Sequence, residues 1–227
     1  MSEIRVTRSR LWRELLSDDV VTYETERFVH APGLFPEERA IVRDAVPSRV
    51  EEFAAGRVCA RLSLADLGYP PAPLLRDQDR RPAWPPACHG SITHTEGYCA
   101  AAVVPDALSA GIGIDVEAAG RVTEALEARI CTPVEVGRLQ RMNEARRRMT
   151  ATVIFSAKEA VFKCQSHLPD ALRGFHDVEI DLDEGAFRVL LLRDPPAALG
   201  ALGFPQGRYR FERGLIFSGI ILPAPET

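Results

Sequence analysis

The chain has 227 residues, and 46% of them are hydrophobic, so it can bury a full core as one large domain or two small ones. The net charge of −4 argues against non-specific nucleic-acid binding, which needs an excess of basic residues. No apolar run approaches the roughly 20 residues of a membrane span, and five scattered cysteines without zinc-like spacing predict buried or free thiols. We therefore expect a cytoplasmic protein of enzyme size that binds neither nucleic acid nor membrane.

The first half of the chain is predicted to form a strand, two helices and two further strands. Positions 20–25 predict a short strand, and a helix at 36–45 begins with Pro-Glu-Glu, residue types that are favoured in a first helical turn. The apolar residues of 48–67 recur at helical spacing, which predicts the long helix of this half. A proline-rich loop at 69–90 then leads into two strands, at 91–95 and 98–104.

The second half repeats this outline without repeating its sequence. A strand is predicted at 111–116, followed by helices at 133–142 and 145–165. Two strands would pair across a tight turn, and a hairpin would close the chain, at 178–182, 187–192 and 209–222. Helices followed by antiparallel strands, twice over, indicate the α+β class.

The segment GIGIDVE, residues 111–117, places two carboxylates on one side of a strand. Side chains alternate along a strand, so the apolar residues face the core, whereas Asp115 and Glu117 share the other face with two glycines. Their Cα atoms would lie about 6.6 Å apart, close enough for both carboxylates to reach one hard cation, and the glycines would clear space for a bulky group. The alternative is a solvated strand face without a ligand.

The chain contains two lysines, Lys158 and Lys163, and both lie in the helical segment FSAKEAVFK, residues 155–163. Lysine is a compact ammonium and arginine a wide fork, so these are positions where we expect a guanidinium not to serve. Glu159 and Lys163 are four residues apart, and the simplest interpretation is a surface ion pair. If the helix packs beside the strand, Glu159 becomes a third carboxylate, and three carboxylates with phosphate oxygens suit Mg²⁺ better than zinc.

Two further groups of residues are suited to phosphate. Thr93 and His94 offer a hydroxyl and an imidazole at the end of a strand, although a lone histidine is more often structural. On the long helix of the first half, Arg49, Arg57 and Arg61 fall within about 120° of arc, and guanidinium groups bind phosphate in a bidentate manner. The alternative for this arc is a solvated helix face.

Taken in order, the segments GSITH (90–94), GIGIDVE (111–117) and FSAKEAVFK (155–163) resemble the three signature segments of the 4′-phosphopantetheinyl transferases, most closely the surfactin and enterobactin type. Weaker similarity runs from residue 49 to residue 211. The resemblance implies a monomer with a pseudo-twofold α+β fold of two similar halves. It assigns the CoA nucleotide contacts to residues 1–108, the metal site and catalytic helix to 109–227, and the active site to their interface.

The resemblance also implies a reaction and roles for individual residues. The 4′-phosphopantetheine arm of coenzyme A would be transferred to a serine of an acyl or peptidyl carrier protein, with release of 3′,5′-ADP. Lys163 would contact the pyrophosphate and assist the leaving group, with Lys158 close by. Mg²⁺, or Mn²⁺ in its place, would be held by Asp115, Glu117 and Glu159. The phosphates and the nucleotide would be bound by Thr93, His94, Arg49, Arg57 and Arg76.

The general base and the competing functions stay open at the level of the sequence. Glu159, Glu135 or a metal-bound water could deprotonate the carrier serine. Phosphoryl transfer depends on positioning and on neutralising charge, so the same carboxylates would also serve a CoA or nucleotide pyrophosphatase. A CoA-binding module without catalysis is a third hypothesis, and a nucleophilic Cys99 near His94 lacks an orienting acid. The run of arginines at 146–148 could face an acidic carrier protein, and the alternative is a solvated helix start.

Overall fold

The computed structural model describes residues 6–26, 33–172, 174–194 and 206–224. The chain divides into two compact units, Met1–Leu108 and Ser109–Thr227. Each unit contains an antiparallel sheet packed against one long helix, which confirms the expected α+β class with two similar halves. Within the described part of the chain, no helix has the length and hydropathy of a membrane span.

The first unit is a four-stranded sheet covered by a long helix, α3. Its elements are, in chain order, β1 (Thr7–Arg8), α1 (Arg10–Leu15), β2 (Val21–Thr25), α2 (Pro36–Ile41), α3 (Pro47–Asp66), β3 (Cys88–Thr95) and β4 (Tyr98–Pro105). The strands are antiparallel in the order β1-β2-β4-β3. The strand predicted at 20–25 and the helix predicted at 48–67 are confirmed, whereas the helix predicted at 36–45 ends at Ile41.

Small residues bring α3 against the sheet. Cys59 and Ala60 of α3 are fully buried and pack in one cluster with Ala101 of β4. A Cβ built on Gly56 would lie 3.0 Å from the Ile92 side chain, so α3 passes close to β3 as well. The arginines of α3 are thereby held at fixed positions relative to the sheet.

Helix α1 is absent from the sequence-based prediction because six residues are too few to show a helical period. Ser9 caps its first turn, and Trp12 is fully buried, with its indole N–H donating to the Tyr98 hydroxyl at 2.8 Å. Contacts with the sheet, rather than a local pattern, therefore fix this helix.

The second unit is a five-stranded sheet with one long helix, α6, packed on β5 and β9. Its elements are β5 (Ser109–Ala118), α4 (Glu124–Ile130), α5 (Pro133–Leu139), α6 (Glu144–Gln165), a 3₁₀ turn (Phe175–Asp177), β6 (Val178–Asp183), β7 (Ala186–Leu191), β8 (Gly207–Glu212) and β9 (Leu215–Pro223). The antiparallel order is β5-β9-β8-β7-β6. The prediction missed α4 and extended α5 to residue 142, but the other elements are confirmed.

The two glycines of β5 make room for the backbone of α6. A Cβ on Gly111 would overlap the carbonyl oxygen of Cys164, and one on Gly113 would overlap that of Ala160. We expected these glycines to clear space for a ligand, and the bulky group that they admit is instead the helix. Asp115, on the same strand face, is buried as well, which excludes the solvated strand face.

Gly113→Ala should lower the free energy of unfolding by about 3 kcal/mol, because the added methyl group would overlap backbone atoms of α6 that have no rotamer to change. The matched control is Gly137→Ala on α5, where a Cβ meets open space, and alanine there should raise stability by about 0.5 to 1 kcal/mol. Urea unfolding of both variants measures the difference. Wild-type stability of Gly113→Ala would contradict the close packing.

Candidate active site

Acidic and basic side chains lie together in the second unit, where α6 packs on β5. Asp115 and Glu117 leave β5 on the same face and are buried, at 4% and 6% exposure. The Lys163 ammonium on α6 donates to Asp115 Oδ1 at 2.6 Å and to the backbone carbonyl of Ile114 at 3.2 Å. Arg121, which follows β5, donates to the Glu117 carboxylate. We call these residues, together with Glu159, the acid cluster.

Glu159 of α6 belongs to the same electrostatic environment. Burial raises its pKa, Lys163 lowers it, and the charge of Asp115 raises it again. Burial likewise raises the pKa of Glu117, the hydrogen bond from Arg121 lowers it, and Asp115 raises it. The charge of Asp115 therefore acts on each of the other two carboxylates. The helix therefore packs beside the strand, as the hypothesis of a third carboxylate requires.

The donor set of the acid cluster fits a hard divalent cation. Carboxylate oxygens are the ligands that Mg²⁺ prefers, and a cation relieves the repulsion among them. Ser218, directly opposite Asp115 in the sheet, is fully buried, and its hydroxyl finds no hydrogen-bond partner among the described residues. A buried polar group of this kind is typical of a site that a ligand or solvent completes. Among the described residues, no three His, Cys, Asp or Glu side chains are grouped so that they could hold a metal ion. Asp115 forms an ion pair with Lys163.

The first unit gathers cations around the ring of Phe53 on α3. The Cζ atom of Arg57 lies 4.3 Å from the ring centroid, and that of Arg76, from the proline-rich loop, lies 5.1 Å from it. Arg49, also on α3, reaches His94 of β3, with 2.9 Å between Arg49 Nη1 and His94 Nε2. We call Arg49, Arg57, Arg76 and His94 the cation cluster.

The arginines of the cation cluster repel one another. Burial lowers the pKa of Arg57 to about 10; Glu38 opposes this shift, and three neighbouring guanidinium groups add to it, those of Arg76, Arg61 and Arg49. Burial and the charge of Arg49 also lower the pKa of Arg76. A set of guanidinium groups that depress one another's pKa is typical of an anion-binding site.

Arg61 serves the structure of the loop instead of the cation cluster. Its guanidinium donates to both carboxylate oxygens of Glu38, at 2.7 and 2.8 Å. Glu38 is fully buried and also accepts from the backbone N–H of Leu74 at 2.9 Å, while Arg57 donates to the Leu74 carbonyl at 2.7 Å. Glu38 and Arg57 thus hold the loop that carries Arg76.

Comparison with known proteins identifies one family over most of the chain. The 4′-phosphopantetheinyl transferase N-terminal domain matches residues 37–104, and the 4′-phosphopantetheinyl transferase superfamily matches residues 111–202. The 4′-phosphopantetheinyl transferase Svp of Streptomyces mobaraensis is 40% identical over 85% of this chain and 80% of its own length. PptT of Mycobacterium tuberculosis is 33% identical, with coverages of 87% and 90%, and enterobactin synthase component D of Escherichia coli K12 is 35% identical, with coverages of 70% and 75%. This chain belongs to the 4′-phosphopantetheinyl transferase family.

Membership of the family confirms the resemblance drawn from the three sequence segments, and with it the activity class of a phosphopantetheinyl transferase. In this transferase, GIGIDVE lies on β5 and FSAKEAVFK on α6, and together they supply most of the acid cluster. GSITH lies on β3 and supplies His94 to the cation cluster.

Lys158 of this transferase is enclosed within the protein. Its side chain is fully buried, and its ammonium donates to the carboxylate of Glu135 at 2.7 Å, the carbonyl of Phe175 at 2.8 Å and the carbonyl of Ile130 at 2.9 Å. An ammonium has three N–H donors, so all of them are used. This placement leaves Lys158 no donor for a CoA phosphate, contrary to the role that the resemblance implies.

Glu135 is enclosed in the same network. Its fully buried carboxylate accepts from the backbone N–H groups of Thr132 and Ile180, each at 2.7 Å, as well as from Lys158. Ile180 lies on β6, which is an edge strand of the sheet, so Glu135 satisfies an edge N–H group. A general base must reach the proton that it removes, and Glu135 reaches protein groups instead. The structure gives Glu135 the task of joining β6 and α5 to α6.

Thr93 stays a predicted phosphate contact, and two of the arginines at 146–148 have partners within the protein. Thr93 and His94 are consecutive on β3, so their side chains leave the strand on opposite faces, and His94 is the one that contacts Arg49. Further along the chain, Arg147 pairs with two glutamates and Arg148 donates to a backbone carbonyl, so both are engaged within the protein.

The cysteines are buried free thiols, as the sequence predicts. Cys99, which we considered as a nucleophile, is fully buried. A hydrogen bond with Cys59 and burial raise the pKa of its thiol well above the ordinary value. A thiol that resists ionisation is a poor nucleophile, so this alternative is disfavoured.

Three residues of the site were not identified from the sequence, namely Phe53, Glu38 and Arg121. Glu38 acts through contacts with loop residues 36 positions away, which no local pattern encodes. Arg121 donates to Glu117 from beyond the end of a strand, where a spacing of four residues does not predict that two side chains share a face. The spacing of four between Phe53 and Arg57 on a helix was an available signal, since such pairs share a face.

Lys158→Met should lower the free energy of unfolding by about 3 to 5 kcal/mol, because it leaves the buried Glu135 carboxylate without its cation. The double variant with Glu135→Gln should be more stable than Lys158→Met, since glutamine removes the buried charge and keeps an acceptor. Denaturant unfolding and CoA binding are measured for both. Unchanged stability with CoA binding weakened about tenfold or more would instead identify Lys158 as a ligand of CoA.

Proposed function

We propose that this protein transfers the 4′-phosphopantetheine arm of coenzyme A to a serine of an acyl or peptidyl carrier protein and releases 3′,5′-ADP. The observation that carries the proposal is the contact of Lys163 with Asp115, beside Glu159, in a chain that belongs to the transferase family. A buried carboxylate that accepts a hydrogen bond from an ammonium suits the recognition of a pyrophosphate with its counter-ion.

The proposed reaction exchanges one phosphorus–oxygen bond for another. The serine oxygen of the carrier bonds to the phosphorus that bears the pantetheine arm, and the bond from that phosphorus to the bridging pyrophosphate oxygen breaks. The serine proton passes to a base, and 3′,5′-ADP departs with the added negative charge. Lys163 neutralises that charge. Its side chain is 29% exposed, and its hydrogen bonds to Asp115 and to the Ile114 carbonyl orient the ammonium.

We propose that Asp115, Glu117 and Glu159 hold Mg²⁺, with Mn²⁺ as a substitute. When bound, the divalent cation would polarise the pyrophosphate oxygens and offset the charge of the three carboxylates. Lys163 and Arg121 orient Asp115 and Glu117 through their hydrogen bonds. With Glu135 enclosed, Glu159 is the carboxylate that we propose for accepting the serine proton.

We propose that the cation cluster of the first unit binds the nucleotide end of coenzyme A. Arg49, Arg57 and His94 are assigned to the 3′-phosphate, and Arg76 to the nucleotide. The lowered pKa values of Arg57 and Arg76, to which neighbouring guanidinium groups contribute, support an anionic ligand, because a phosphate would relieve that repulsion. The pairing of Arg49 with Glu52 at 3.1 Å leaves the charge of that arginine partly balanced.

Incubation of the protein with CoA, Mg²⁺ and an apo carrier protein should add one phosphopantetheine to the carrier, which intact-mass spectrometry detects. Fatty-acid, polyketide and peptide-synthetase carriers are tested side by side. Asp115→Asn, which keeps the size of the side chain, should slow transfer by about 100-fold or more. Release of 3′,5′-ADP at a rate independent of any carrier would identify a CoA pyrophosphatase, and CoA binding without turnover would identify a binding module.

Lys163→Arg should lower kcat by about 100-fold although the charge is kept, because a guanidinium is too wide to take the place of the ammonium between Asp115 and the Ile114 carbonyl. The matched control is Arg129→Lys, an exposed position on α4 that should leave kcat within about twofold. Steady-state kinetics with one carrier compares the two. Wild-type kcat for Lys163→Arg would show that charge alone is sufficient at this position.

A further inference from the structure

Phe53 contacts both a buried hydrophobic cluster of the first unit and the cation cluster. The residue lies on α3 at 5% exposure and packs in a buried cluster with Leu34, Val42 and Ala54. The centroid of its ring also lies 4.3 Å from the Arg57 guanidinium carbon and 5.1 Å from that of Arg76. One ring therefore contacts two guanidinium groups that come from different elements, a helix and a loop.

A phenyl ring attracts a guanidinium group without neutralising its charge. The negative face of the ring attracts the cation, and the in-plane N–H groups stay available for other acceptors. A carboxylate in the same place would occupy those N–H groups and cancel the charge, as Glu38 does for Arg61. For Arg57, one N–H donates to the Leu74 carbonyl at 2.7 Å, which fixes the side chain further.

The contacts of Phe53 bring together two cations that repel each other. Burial lowers the pKa of Arg57, and Arg76 contributes to that shift, so the pair is electrostatically unfavourable without an anion. An exposed arginine would move away from such a neighbour. Arg57 is 4% exposed, and the same aromatic ring that attracts it also attracts Arg76.

We propose that Phe53 is a positioning residue that sets the spacing of Arg57 and Arg76 and thereby makes the protein prefer coenzyme A over dephospho-coenzyme A. The proposal rests on the proposed function, since it concerns the 3′-phosphate of that substrate. The ring itself does not touch the phosphate. Its role is to hold Arg57, which is assigned to the 3′-phosphate, in a fixed relation to Arg76, which is assigned to the nucleotide. The Arg57 guanidinium is then in place for a doubly charged phosphomonoester.

The test compares the binding of coenzyme A and dephospho-coenzyme A to Phe53→Leu by isothermal titration calorimetry. Removing the aromatic ring should raise Kd and KM for coenzyme A about tenfold, and leave those for dephospho-coenzyme A within about twofold. The kcat value should not change, because Phe53 acts on the nucleotide end of the substrate and not on the reacting phosphorus. Phe53→Tyr keeps the ring face and should keep the wild-type preference.

Two further variants separate positioning from core packing. Phe187→Leu makes the same change at a buried residue of the second unit and should leave the preference at its wild-type value. Phe53→Met retains an unbranched apolar side chain without a ring and should lose the preference in the same way as Phe53→Leu. If Phe53→Leu or Phe53→Met folds with the wild-type ratio of the two Kd values, or if both unfold, Phe53 is a core residue and the inference is overturned.

These outcomes are distinguishable from failure of the proposed function. Binding is measured without a carrier protein, so a preference for coenzyme A that depends on Phe53 can appear in a protein that transfers nothing. In that case the proposed function fails and the role of Phe53 stands. Transfer to a carrier with a preference independent of Phe53 would instead support the proposed function and overturn the role of Phe53.

Discussion

The chemistry of the second unit depends on the contact between the α6 backbone and the two glycines of β5. Gly111 meets Cys164 and Gly113 meets Ala160, so a step of two strand residues, about 6.6 Å, matches a step of four helix residues, about 6 Å. Strand and helix therefore run alongside each other in opposite directions. Asp115 comes one step after Gly113, and Lys163 reaches back along the helix to it. Packing of the two backbones assembles the acid cluster, although its carboxylates repel one another.

The two lysines show how the surroundings of a residue decide its task. Both carry the same ammonium on one helix, five residues apart. Lys158 donates to three protein acceptors and joins α6 to α5, the end of α4 and the 3₁₀ turn. Its ammonium therefore stabilises the fold. Lys163 has two protein acceptors and a partly exposed side chain, so its remaining donor can face a ligand. The scarcity of lysine in the sequence singled out both residues without distinguishing these tasks.

The sequence predicted most of the long elements and the segments that carry the chemistry, because helical periodicity and strand alternation are local properties. It predicted α6 and β5 well, and it named Asp115, Glu159 and Lys163 as one group on the condition that these elements pack together. It did not predict α1, whose stability comes from the buried contact of Trp12 with Tyr98. It also did not predict the enclosure of Glu135, because two partners of that carboxylate, Lys158 and Ile180, lie 23 and 45 residues away in the sequence.

Each unit contains a cluster of like charges, and the repulsion among these charges disfavours the cluster. In the first unit, neighbouring guanidinium groups lower the pKa values of Arg57 and Arg76, and in the second unit Asp115 raises the pKa values of Glu117 and Glu159. Such conflicts persist where the surrounding fold outweighs them, and here Phe53 and the glycine contact supply that support. Any ligand that brings phosphate to the first cluster or a cation to the second relieves the conflict. Binding of such ligands must therefore stabilise the folded protein, since they interact with clusters that the unfolded chain does not possess.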